Sequence, residues 1–207
     1  MFKEFFRIIT EYRTLLYTLA IKELKIKYKS TFLGFLWSVI VPVVMAIVFN
    51  LIFSFFFAKF SVENLPYTVF LLAGLFPWMY FSTTLSMSVN IFIDQSNVIE
   101  KVNIPILILP FSVSVSNAVL LLIDFIVLIV FLLILKVPLI WHILLVLPAY
   151  FFLFIMTTGF SFLLSSLNVR FRDIKYLVEI SLLVLFYITP IIYPFKMVYG
   201  VLFDKHK

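Results

Sequence analysis

Polar side chains interrupt the long apolar runs of this sequence at a few positions, and chemistry could occur there. Asp124 lies in LLLIDFIVL, while Asn50, Asn90 and Asn117 have similar surroundings. A carboxylate inside a membrane span costs a few kcal/mol and usually faces a partner or water. Asp124 therefore indicates a pore, substrate or proton-carrying contact, or else a neutral or hydrogen-bonded residue that fixes its helix to a neighbour. The three asparagines predict hydrogen bonds between helices, worth about 1 kcal/mol each.

A second polar stretch, NVRFRDIKY at 168–176, places Arg170, Arg172 and Lys175 beside an apolar run. The only role of such cations can be to fix the orientation of the chain in the membrane. They can also bind anionic head groups or phosphate, which arginine contacts in bidentate fashion. Both interpretations can hold together.

A third stretch, NVIEKVNIPILILP at 97–110, is short, amphipathic and closed by two prolines that stop a continuous helix. A solvent-exposed loop would not require so many apolar side chains. The stretch therefore predicts a short helix that presents Val98, Ile99 and Val102 to a protein partner. The alternative is a segment that buries itself under the helix bundle.

Several kinds of chemistry have no sequence signal. The chain has no cysteine, and its histidines, His142 and His206, form no ligand pair, so we expect no metal site. The four glycines are isolated, and no phosphate-binding glycine motif, Ser-His-Asp set, HExxH or EF-hand loop occurs. We therefore expect neither an enzyme nor a cofactor in this chain.

The composition indicates a membrane protein. Of 207 residues, 64% are hydrophobic and 13% are charged, against about 25% charged in soluble domains. A chain of this length cannot bury so much apolar surface in its own core. Phe occurs 27 times and Gly only 4 times, so we expect packing through small residues in few places.

Continuous apolar runs predict an all-α, polytopic helical bundle, because an unpaired backbone in hydrocarbon costs several kcal/mol per group. Each span needs about 20 apolar residues. The predicted transmembrane domain is 32–194, followed by a short tail at 195–207. Its five spans are 32–58, 67–93, 107–135, 139–167 and 176–193.

Residues 1–31 predict an amphipathic helix, in which Tyr12, Leu16 and Leu19 recur at helical spacing while Thr10 and Thr14 line another face. We expect it to lie in the membrane interface, with packing on a protein core as the alternative. In the N-terminal segment and the loops that follow the first four spans, eleven basic residues lie on the same side of the membrane as the N-terminus. Two lie on the opposite side. This bias predicts a cytoplasmic N-terminus and explains the net charge of +6 without nucleic acid.

Four stretches in order resemble the permease subunit of ABC-2 type polysaccharide exporters, which handle O-antigen, capsule or teichoic acid. They are ELKIKYKSTFLGFLWSVIVPV, AGLFPWMYFSTTLSMSVNIFI, NVIEKVNIPILILP and NVRFRDIKYLVEISLLVLFYITPIIYP. The resemblance spans nearly the whole chain. Members of the family continue past the PIIYP stretch through a sixth span, so five spans are visible and the sixth is expected but missing from an apparently truncated tail.

The resemblance implies a homodimer in the bacterial cytoplasmic (inner) membrane that moves lipid-linked glycan, with ATP and magnesium bound by a separate ABC ATPase. Residues 97–105 would be the coupling helix, including Asn97, Val98, Ile99, Glu100, Lys101 and Val102. Arg170, Phe171, Arg172 and Asp173 would lie at the cytoplasmic gate and contact the lipid phosphate. Asp124, Asn117 and Asn90 are the intramembrane polar residues.

Two other functions fit the same sequence features. The same fold could belong to an exporter of a drug, haem or a small lipid. From a different class, the chain could be a membrane-embedded enzyme or an assembly factor, although nothing in the sequence nominates a catalytic centre.

Overall fold

The computed structural model describes residues 10–28, 33–56, 66–101, 104–137 and 144–194. These parts of the chain form helices and short connections. The helices are α1 (Arg13–Tyr28), α2 (Trp37–Phe56), α3 (Tyr67–Ser88), α4 (Ile91–Asp94), α5 (Ser96–Lys101), α6 (Ile108–Ile134), α7 (Val146–Arg170) and α8 (Ile174–Ile188), with a 3₁₀ turn at Gly34–Leu36 before α2. The predicted all-α class is confirmed.

Four helices in the described part of the chain are long and apolar enough to cross a membrane. They are Gly34–Ile52, Tyr67–Ser88, Ile108–Ile134 and Val146–Arg170. They correspond to the first four predicted spans. The fourth begins and ends later than predicted, because the helix continues to Arg170 and stops only where Phe171 becomes extended.

The fifth predicted span contains the 15-residue helix α8. At 1.5 Å per residue, α8 is about 22 Å long, shorter than the roughly 30 Å hydrocarbon core. The chain beyond α8 folds against α3, where Ile191 lies over Gly74 and the Tyr67 hydroxyl donates to the Ile192 carbonyl. The Tyr193 hydroxyl donates to the Tyr187 carbonyl at 2.8 Å. The Tyr193 bond satisfies a carbonyl that the end of α8 leaves free.

The main core lies where α2, α3 and α6 meet. Ala46, Leu72, Phe76, Val127, Leu128 and Phe131 form one buried cluster. Ala46 is fully buried and its small side chain lets α2 come close to the other two helices. Gly34 has a φ of +52°, which a glycine adopts at little cost, and it forms the turn that leads into α2.

Small hydroxyl side chains, and not glycines, supply the close packing of α7. Thr157, Ser161 and Ser165 follow one face of α7, and each is fully buried. Thr84 and Ser88 are equally buried on α3, which packs against α7. The expectation of little small-residue packing was therefore wrong, because it considered glycine and overlooked serine and threonine, which also let helices approach closely.

The apolar face of α1 is covered by protein. Tyr12, Leu15, Leu16 and Leu19 pack on a cluster that includes Ile108, Leu109 and Val113 of α6. Thr10 and Thr14 are exposed, as the predicted amphipathic pattern requires. The described part of α1 therefore packs on the bundle, and its position in the membrane interface stays a prediction. Residues 1–9, 57–65, 138–143 and the predicted tail at 195–207 lie outside the described residues.

Candidate functional site

The predicted gate segment, Arg170–Asp173, connects α7 to α8 and is exposed throughout. Phe171 is extended, with φ −129° and ψ 97°. The Arg170 guanidinium lies 5.4 Å from the centre of the Phe171 ring, within the range of a cation–π contact. Arg170 and Arg172 therefore stand at one end of the bundle, where their planar N–H groups can reach phosphate oxygens.

Asn168 is the buried residue that anchors this connection. Its side chain is 1% exposed and donates from Nδ2 to Asn90 Oδ1 at 3.1 Å. Its Oδ1 accepts from the backbone N–H of Lys175 at 3.2 Å. The first bond joins the end of α7 to the turn after α3, and the second satisfies an N–H group that the first turn of α8 leaves free. Asn90 was predicted to form a contact between helices, whereas Asn168 was not, although it is the first residue of the polar stretch at 168–176.

The predicted coupling segment begins beside this connection. α4 packs against α7, and Gln95 then leads into α5. The Lys22 ammonium of α1 donates to Gln95 Oε1 at 2.9 Å, so α1 is tied directly to this segment.

Within α5, Ile99 is partly buried and packs on the cluster of Leu19, Ile91 and Ile108, whereas Glu100 is exposed. Ile99 therefore packs on its own bundle, while Ser96 and Glu100 are the exposed side chains among the described residues of α5. The side chains of Asn97, Val98 and Lys101, and the whole of Val102, lie outside the described residues.

Asp124 lines a cavity of about 280 Å³ inside the bundle. The polar residues around it are Lys27 of α1, Ser38 of α2, Tyr80 and Thr83 of α3, and Asn117 and Asp124 of α6. Asp124 is 9% exposed. The cation at this cavity comes from α1, outside the predicted spans.

Lys27 carries the opposite charge at the same cavity. Although the side chain as a whole is exposed, burial around its ammonium lowers its pKa, and the Asp124 carboxylate opposes that shift. A nearby opposite charge favours the ionised form of the Lys27 ammonium. The two residues therefore act on each other electrostatically, which no sequence spacing could reveal because they are 97 positions apart.

The other predicted asparagines also contact neighbouring helices. Asn50 accepts a hydrogen bond at 2.8 Å from the Thr68 hydroxyl, which joins α2 to α3. Asn117 Nδ2 lies 3.7 Å from Met87 Sδ, which joins α6 to α3. Asn117 and Asp124 share one cavity because residues seven apart fall on the same helix face. Among the described residues, His, Asp and Glu side chains form no cluster of three that could hold a metal ion.

Comparison with known proteins identifies the family. The model of the ABC-2 type transporter family matches residues 14–203. An O-antigen export system permease protein RfbA from Myxococcus xanthus is 31% identical over 196 residues, covering 93% of this chain and 73% of the relative.

Two permeases of the same name from Klebsiella pneumoniae are 34% and 32% identical over 189 residues, covering 89% of this chain and 70% of each relative. The family match and the four long apolar helices agree on a multi-pass membrane protein. The resemblance found in the sequence motifs is confirmed, and the chain belongs to the ABC-2 type transporter family.

Proposed function

We propose that this chain is the transmembrane permease subunit of an ABC exporter that moves lipid-linked polysaccharide, of O-antigen, capsular or teichoic acid type, across the cytoplasmic membrane. The observation that carries the proposal is the similarity to O-antigen export permeases over about nine-tenths of the chain: it covers 93% and 89% of this chain in the two species. In this proposal the working unit is a homodimer with its N-terminus in the cytoplasm.

ATP hydrolysis takes place on a separate ABC ATPase that docks on α5. The exposed Glu100 is the charged side chain available for that contact among the described residues of α5, while Ile99 connects α5 to the bundle. Because Lys22 of α1 binds Gln95 just before α5, a push on α5 also moves α1. A packed bundle with two arrangements can turn such a local push into a change of state.

Arg170 and Arg172 bind the phosphate groups of the lipid carrier at the cytoplasmic gate. Asn168 holds the α7–α8 connection in place through Asn90, and Asn90 directly precedes α4. Movement at the docking segment would therefore reach the gate arginines through one buried hydrogen bond.

The test uses a bacterium in which this gene is deleted and then restored. We expect deletion to remove long-chain glycan from the cell surface and to leave lipid-linked glycan inside. Replacement of Arg170 and Arg172 together by Gln should lower surface glycan severalfold, while replacement by Lys should lower it less, because Lys keeps the charge but cannot bind in bidentate fashion.

Docking is tested separately by co-purification of a P-loop ATPase. Glu100→Lys should weaken co-purification, and Lys136→Glu, at the opposite end of the bundle, is the matched control. Unchanged surface glycan after deletion would contradict polysaccharide export. Retention of the ATPase by Glu100→Lys at the level of the control would contradict docking through α5.

A further inference from the structure

The cavity around Asp124 combines opposite charges that do not meet. Lys27 lies on one wall and Asp124 on another. Among the residues that the structure describes, none donates a hydrogen bond to the Asp124 carboxylate or forms an ion pair with it. A carboxylate that is 9% exposed within an apolar bundle is costly unless something neutralises it.

More hydrogen-bond acceptors face the same space. Pro42 of α2 lines the cavity and has no N–H, so the Ser38 carbonyl one turn earlier lacks its usual helical partner. The Asn117 amide and the Thr83 hydroxyl also line the space. The wall around Asp124 is thus rich in oxygen acceptors, which suit a hydrogen-bonding cation.

The cavity lies beside the start of the first candidate span, and its residue Asp124 belongs to the third candidate span. Lys27 precedes the first candidate span, which begins at Gly34, and Ser38 and Pro42 belong to the first two turns of α2. Above them, α2 exposes Val41, Val44 and Val48, which fall on one face at helical spacing and are 38%, 49% and 43% exposed. An acyl chain can lie along this face while its head group enters the cavity.

We propose that this cavity binds the head group of a phosphoethanolamine lipid. The primary ammonium is placed at Asp124 and donates to its carboxylate and to neighbouring acceptors such as the Ser38 carbonyl. The phosphate is placed at Lys27. Each buried charge then has a counter-charge, and the ligand itself is neutral overall.

The charge pattern selects against other common lipids. An anionic lipid such as phosphatidylglycerol offers a partner to Lys27 but leaves Asp124 unneutralised. A choline lipid carries the right charges, but its quaternary ammonium has no N–H to donate to the carboxylate. The proposal holds whatever the protein exports, since it depends only on the cavity and on the charges of Lys27 and Asp124.

The first arm of the test needs no substitution. The purified protein is exchanged into mixed micelles with equal amounts of phosphatidylethanolamine, phosphatidylcholine and phosphatidylglycerol, and lipid retention is measured by native mass spectrometry. We expect phosphatidylethanolamine to be retained severalfold more than either of the others. Equal or greater retention of phosphatidylcholine or phosphatidylglycerol would overturn the proposal.

The second arm uses variants. Asp124→Asn should reduce retention of phosphatidylethanolamine about tenfold, the factor expected for loss of a charge-assisted hydrogen bond. Lys27→Gln should also reduce retention of phosphatidylethanolamine, because it removes the cation at which the phosphate is placed. Lys25→Gln is the matched control, because Lys25 is an exposed cation on the same helix and does not line the cavity.

Direct pairing of Lys27 with Asp124, without lipid, is the competing arrangement. It predicts that Lys27→Gln destabilises the protein equally with and without phosphatidylethanolamine, and that Asp124→Asn leaves lipid retention unchanged. Either result would overturn the proposal, and the first arm remains decisive if a variant fails to fold.

Discussion

The side-chain amide of Asn168 donates to the amide oxygen of Asn90 over 3.1 Å, and so joins the cytoplasmic ends of α7 and α3 in the proposed orientation. Both residues flank segments with proposed roles. Asn168 precedes the gate arginines, and Asn90 precedes the docking segment. One hydrogen bond between two short side chains therefore sets the spacing of these two segments.

Replacement of Asn168 by Ala is expected to lower the free energy of unfolding by about 1–2 kcal/mol, because the bond to Asn90 and the bond from Lys175 are both lost. Asn90→Ala should lower the free energy of unfolding by less, because only the bond to Asn168 is lost. The double variant should lose less than the sum of the single losses, which unfolding in mixed micelles would measure. Strict additivity would show that the two side chains do not depend on each other.

Gly74 packs against the chain that follows α8. A β-carbon at Gly74 would lie 3.4 Å from Ile191 Cγ2, so the branched side chain of Gly74→Val would collide with Ile191. We expect a loss of about 1–3 kcal/mol, as in other overpacked sites. Gly159→Val is the control, since a β-carbon at Gly159 meets nothing within 4 Å. Thermal unfolding should separate the two variants, and equal midpoints would contradict the contact.

The small size of Ser161 suits the close packing of α7 against its neighbours α3 and α6. Ser161 is fully buried, so Ser161→Leu should force the helices apart and cost about 1–3 kcal/mol. Ser166→Leu makes the same change at an exposed position of the same helix and should have little effect. The comparison is made by the detergent concentration or temperature at which each variant unfolds. A stable Ser161→Leu protein would mean that the helices do not pack closely at this position.

Glu23 gives stability a dependence on pH. It is 8% exposed, and burial raises the pKa of its carboxyl above 4.5, while Lys22 lowers it and Asp94 raises it further. The folded protein therefore holds this proton more tightly than the unfolded chain. The resulting stability is fully present below pH 4.5 and is lost as the pH rises through the folded pKa.

Glu23→Gln removes this titration and should raise the unfolding midpoint at neutral pH, with a smaller effect or none in acid. Glu100→Gln, at an exposed position, is the control. Midpoints measured across the acid-to-neutral range check the sign. A larger gain from Glu23→Gln in acid than at neutral pH would contradict it.

Orientation can be tested with single cysteines, because the chain has none of its own. With the proposed cytoplasmic N-terminus, Glu100→Cys should react with a membrane-impermeant reagent only after the cells are opened. Lys136→Cys, exposed at the far end of α6, should react in intact cells. The reverse pattern would place the docking segment outside and exclude contact with a cytoplasmic ATPase.

The sequence alone determined the all-α membrane bundle, its first four spans and its family. Uninterrupted apolar length carries this information locally, because a backbone in lipid must satisfy its own hydrogen bonds as helix. Continuous runs such as 107–135 therefore predicted α6 to within one residue at each end. The polar stretches indicated the family because the order of these motifs along the chain can be read directly from the sequence.

Only the tertiary structure decided which polar residues meet. It placed Lys27 at the Asp124 cavity and paired Asn168 with Asn90. It also covered the apolar face of α1 with protein and buried Ser161 within the bundle. These contacts depend on how helices rotate and cross, which is set by packing among distant segments and leaves no periodic signal in the chain.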